Sequence, residues 1–156
     1  MAIVLFSFSS CSKDSVEEME MAELTSKAPA VSYSDYELQV MELVNAYRVE
    51  KGLSKLENLD EISYQAETHN IHMIKNDEVC HDQFGSRYSA LVKQVEAEAV
   101  SENVAYGHRT AEAVVQAWIK SDSHRKNMEG NHTHFGISVT KDDKGKFYIT
   151  NIFIRQ

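Results

Sequence analysis

The seven residues Tyr148-Ile149-Thr150-Asn151-Ile152-Phe153-Ile154 carry apolar side chains at both odd and even positions. Successive side chains of a strand point to opposite faces of a sheet, so a strand of this kind must be covered on both sides. Helices laid on both faces of a small antiparallel sheet provide that cover, and 156 residues suffice for one such core. The expected fold class is therefore α+β, an alpha-beta-alpha sandwich.

The remaining elements are consistent with this frame. Residues 135–140 alternate as a strand and connect to 147–154 through Asp142-Asp143-Lys144-Gly145, whose glycine suits a left-handed turn position. Residues 100–106 read as a third strand. Ser34-Asp35-Tyr36-Glu37 is a capping-box pattern, and Tyr36, Val40, Leu43, Val44 and Tyr47 follow at helical spacing until Gly52 ends the run. A second helix is expected after Asn58, with Leu59, Ile62, Ala66, His69 and Met73 along one face. His69 thus reads as a hydrogen-bonded core histidine and His72 as a solvated one. The stretch 84–95 reads as irregular or briefly helical. Thr110 caps a third helix with Val114, Val115, Trp118 and Ile119 facing inward, Trp118 being core.

Residues 1–10 hold the apolar run Ile3-Val4-Leu5-Phe6 with Phe8, too short for a stable transmembrane helix, and read as an export signal although no Lys or Arg precedes the run. Ser9-Ser10-Cys11-Ser12-Lys13-Asp14 follows and is similar to a bacterial lipoprotein processing site, with Cys11 as the residue that would be lipidated. Residues 11–33, rich in Glu, Ser, Met and Ala and holding the only proline, Pro29, read as an acidic flexible tether. The folded domain is then 34–156. An acylated Cys11 implies a cell-envelope protein anchored by lipid to the outer membrane or cell surface, the membrane being its first partner. Cys80 would be the only free thiol, so no disulfide is expected within the domain. A net charge of -8 without a basic run argues against a nucleic-acid partner.

Three segments carry the polar chemistry: Cys80-His81-Asp82, Ser101-Glu102-Asn103-Val104-Ala105, and Trp118 through Ser121-Asp122-Ser123-His124-Arg125-Lys126-Asn127. In this order they resemble the CAP superfamily of cysteine-rich secretory, antigen 5 and pathogenesis-related proteins, and its bacterial SCP-like branch in particular. The resemblance runs from Ser34 to Ile154 and implies the CAP-type sandwich. It also implies a cleft lined by His81, Glu102 and His124, which in some members binds a divalent cation. The fourth acidic position of that cleft is Ser121 here, and Ser101 stands where a glycine usually precedes the motif glutamate.

Two imidazoles and a carboxylate could hold Zn or another divalent cation, with solvent completing the coordination, or could form a hydrogen-bonded polar cluster. No cofactor is certain from the sequence. Cys80 beside His81 raises a Cys-His pair, although sequence neighbours point different ways, and His132 and His134 read as a polar loop near the cleft. Two functions stay open: an extracellular binding or effector module for a lipid, glycan or protein ligand, and a metal-dependent hydrolase using His81, Glu102 and His124. No nucleophile stands beside an evident base, and the question of catalysis stays open.

Overall fold

The structure is a computed structural model and describes residues 30–156. The expected signal, Cys11 and most of the tether lie outside the described residues. The elements run α1 (Asp35–Glu50), β1 (Glu57–Asn58), α2 (Asp60–Asn76), α3 (Phe84–Val95), β2 (Ala99–Tyr106), α4 (Ala111–Lys120), α5 (Asp122–Glu129), β3 (His134–Lys141) and β4 (Phe147–Arg155). The sheet order is β1-β3-β4-β2. β4 is central, antiparallel to both β2 and β3, and buried along nearly its whole length, as its two-sided apolar sequence requires.

Register assigns the faces. Phe153 lies between Ser101 and Phe135, and Asn151 between Asn103 and Ile137, so these residues share one side. That side packs against Val40 and Val44 of α1, Val114 and Trp118 of α4, and Met128 of α5. On the other side Ile152 lies between Glu102 and Gly136 and meets Ile62 and Ala66 of α2 and Leu91 of α3. Gly136 permits the contact, because a Cβ there would lie 2.4 Å from the Ser63 nitrogen of α2. Helices therefore flank both faces, as expected.

Several boundaries differ from the sequence reading. Asn58 does not cap the second helix: it pairs with Phe135, and its side chain donates to the Tyr33 hydroxyl, leaving Leu59 at the N-cap. The pairing of β1 with β3 is parallel, which makes the sheet mixed rather than purely antiparallel. Beyond these two residues the outer edge of β3 is closed by side chains instead of a strand. Ile137 N–H donates to Ser63 Oγ and Val139 N–H to Glu37 Oε1, so the edge donors find partners. Glu37 also closes the capping box expected at Ser34. The domain's contacts begin before residue 34, since Val31 N–H and the Tyr33 hydroxyl both donate to Asp60.

The stretch 84–95 is a full helix. Its face of Phe84, Arg87 and Leu91 has helical spacing but an Arg at its centre, which masked the stripe. α5 was not expected, because its eight residues hold a single buried apolar side chain, Met128. Its backbone is held by side-chain hydrogen bonds rather than by an apolar face.

Candidate functional site

Glu102 lies in the middle of β2, with its side chain turned toward α2 and α3 and only 2% exposed. A carboxylate this deep needs compensation. Arg87 of α3 supplies it side-on, donating Nε–H to Oε2 and Nη2–H to Oε1, both at 2.8 Å. Arg87 is itself buried, and its Nη1–H donates to the Asp82 carbonyl at 2.7 Å. One guanidinium thus fixes both the carboxylate and the loop before α3.

His81 sits on that loop, and its Nδ1 stands 2.8 Å from Glu102 Oε1. The carboxylate accepts, so Nδ1 carries a proton. The side chain is 56% exposed. His69 of α2 reaches the other oxygen at 3.6 Å from inside the core. Thr150 spends its hydroxyl proton on Asn70 Oδ1 at 2.7 Å, so at the 3.2 Å contact His69 Nδ1–H donates to Thr150 Oγ1. His69 Nε2 is then a buried acceptor without a partner. Burial holds the His69 pKa down at about 4 against the attraction of Glu102, so the ring is neutral at neutral pH.

His124 arrives from the other side of the sheet. Asn103, next to Glu102 on β2, faces α5 and donates to the His124 carbonyl at 3.0 Å. Asn127 of α5 donates to Asn103 Oδ1 and to the Glu102 carbonyl at 2.9 and 3.0 Å. Arg125 ties the start of α5 to the Ile119 carbonyl of α4. The Ser-x-x-His-Arg-x-Asn segment is therefore a clamp that holds His124 at the β2 edge of the sheet. The His124 imidazole is half-buried, and burial, then the nearby His81, lowers its pKa.

The structure thus brings His81 and Glu102 into contact and places His124 close enough to interact with His81. Among the described residues no hydrogen bond joins His124 to either. Ser121 is the residue between α4 and α5, with its hydroxyl 3.2 Å from that of Ser123. Ser101 adopts ordinary strand backbone, as expected where a glycine is replaced. Trp118 is core, its indole N–H turned toward the Val104 carbonyl.

Of the loop histidines, His132 stacks on Phe153 and lies 3.2 Å from Ser101 Oγ, while burial lowers its pKa to about 4. His134 stands 3.8 Å from Glu57. A cavity of about 700 Å³ lies along the outer edge of β3, with Tyr36, Glu37 and Tyr64 in its wall, and shares no residue with this cluster.

Arg87 escaped the sequence reading. Its one signal was an Arg centred on the apolar face of 84–95, a position that calls for a buried acid.

Residues 41–154 match the model of the cysteine-rich secretory protein family, CAP. The chain belongs to the CAP family. Among CAP relatives, YkwD of Bacillus subtilis is 34% identical over 78% of this chain and 49% of its own length. The membrane protein YlbC of the same organism is 32% identical over 76% of this chain and 34% of its own length. The chain therefore spans less than half of either relative. The fold matches an outer surface protein of Borrelia burgdorferi with a TM-score of 0.72 at 19% identity, over 83% of this chain and 98% of that one. It also matches an extracellular SCP-domain protein of Bacillus anthracis with a TM-score of 0.68 at 24% identity, over 81% of this chain and 45% of that one. Among the described residues no helix of this CAP domain is long and apolar enough to cross a membrane.

Proposed function

We propose that this CAP domain is an exported binding module, held at the cell envelope through a lipidated Cys11, whose polar cleft takes a lipid, glycan or protein ligand. The observation that carries the reading is the side-on pairing of Arg87 with Glu102. With both oxygens engaged, Glu102 is a positioning group: it holds the largely exposed His81 ring through Nδ1. His124, whose pKa burial and then the nearby His81 lower, is the second imidazole on this side of the cluster. Export is supported by the Ser9-Ser10-Cys11 pattern and by the outer-surface and extracellular descriptions of two proteins sharing the fold.

The alternative is a metal-dependent hydrolase. A cation bound directly by His81, Glu102 and His124 fits this donor set poorly, because the Arg87 charge already occupies the carboxylate and would repel the ion. Two imidazoles alone would have to hold it.

The test is binding of the full chain to a glycan array and to vesicles of envelope lipids, compared with His81→Ala and His124→Ala. Retention by one ligand class that is lost in both variants, with their circular dichroism unchanged, supports the module. Cation-dependent turnover of ester, peptide or glycan substrates that both variants lose would establish the hydrolase instead.

A further inference from the structure

Within the irregular segment between α2 and α3, neighbouring residues face different ways. His81 turns to Glu102, while Cys80 and Asp82 turn to His72, one turn before the end of α2. One ligand atom each from His72, Cys80 and Asp82 lies within 4.8 Å of the other two. From these three side chains we infer a cation site, separate from the His81/Glu102/His124 cleft, that takes a zinc-class divalent ion through one imidazole, one thiolate and one carboxylate, with water in the fourth position.

The donor set selects the ion. A thiolate favours zinc over magnesium or calcium, and an imidazole and a carboxylate complete the mixed set that tetrahedral zinc accepts. Around tetrahedral zinc such atoms stand about 3.3–3.6 Å apart, given metal-ligand bonds of about 2.0–2.3 Å. The trio must therefore close by at most about 1.5 Å.

Side-chain rotation can supply this closure. Asp82 is exposed, and His72 and Cys80 are half-buried. The backbone on either side is anchored, because Arg87 holds the Asp82 carbonyl and Cys80 packs against the cluster of Met73, Val104 and Tyr148. The His72 ring lies nearly parallel to that of His69, with centroids 6.3 Å apart, which leaves room for it to rotate. The Asn76 amide touches the exposed ring edge at 3.2–3.3 Å, a contact the ion would displace. On binding, the Cys80 thiol loses its proton to solvent and no electron is transferred.

Cobalt(II) serves as the probe, because a thiolate on cobalt produces an intense near-ultraviolet charge-transfer band and tetrahedral cobalt a strong visible one. Titrating the full chain under a non-thiol reductant should develop both bands at one equivalent. Cys11→Ser should keep them, Cys80→Ser should abolish the charge-transfer band, and His72→Ala and Asp82→Asn should each weaken binding by about tenfold or more. His81→Ala and His124→Ala should leave the bands in place, which separates this site from the cleft. No band in the parent, a band surviving Cys80→Ser, unchanged affinity in both His72→Ala and Asp82→Asn, or loss of the band in His81→Ala would each overturn the site.

Discussion

Arg87 and Glu102 meet through two parallel hydrogen bonds of 2.8 Å, at side-chain exposures of 6% and 2%. A pair this dry costs desolvation when it forms, and it costs more when halved, since the remaining charge stays buried alone. Arg87→Met should therefore destabilise the protein by about 3–5 kcal/mol and free the Asp82 loop. Arg87→Met combined with Glu102→Gln should be more stable than Arg87→Met alone. Urea denaturation of the three proteins checks the order.

Acid stability should report His69. Its folded pKa of about 4 lies below the ordinary 6.5, so between those values the unfolded chain binds the extra proton and stability falls as pH falls. The stabilisation is fully present above pH 6.5 and is lost on the way down to about 4. For a ring buried this deeply it amounts to on the order of 3 kcal/mol. His132, also lowered to about 4, adds in the same direction. His69→Gln should flatten the fall in unfolding free energy over this window, measured at intervals of half a pH unit, and the double variant with His132→Gln should flatten it further.

Gly136 is where the α2 backbone rests on β3. A methyl group there would meet the Ser63 nitrogen at 2.4 Å and the Ile62 carbonyl carbon at 2.7 Å, both backbone atoms that cannot step aside. Gly136→Ala should cost about 1–3 kcal/mol or more and lower the melting temperature by several degrees. Gly85→Ala, with nothing within 4 Å of the added carbon, is the matched control and should be near neutral or slightly stabilising.

Asn127 holds α5 to β2 through two acceptors. Asn127→Ala should cost about 1–3 kcal/mol by leaving Asn103 Oδ1 and the Glu102 carbonyl short of a donor. It should also release His124 toward the ordinary histidine pKa, because burial is what lowers it. Carbon-detected titration of the His124 ring checks the direction, which is upward.

Membrane attachment is expected to depend on Cys11. In a bacterium that processes lipoproteins, Cys11→Ala should move the protein from the membrane to the soluble fraction, read by fractionation and immunoblot. Unchanged association would exclude a lipid anchor at this residue.

The fold was legible wherever a local pattern carried it. The two-sided apolar run at 148–154 demanded a central strand, Ser34 and Glu37 announced a capping box, and Thr110 capped α4 as its position implied. α5 was not legible, because Asn103, Asn127 and Arg125 hold it through hydrogen bonds to other elements, and such bonds leave no periodicity behind. The two-residue β1 was too short to alternate.

By itself the sequence determined that His81, Glu102 and His124 belong to the polar motifs of a sandwich with both sheet faces covered. It could not determine which charge meets which. That Glu102 is paired with Arg87, that His69 joins it from the core, and that Cys80 and Asp82 turn toward His72 while His81 turns away were decided only when α2, α3 and β2 packed together. The reason is physical. Binary pattern selects which residues leave water, whereas a buried charge takes its partner from whatever the packing brings within about 3 Å, often from a distant part of the chain.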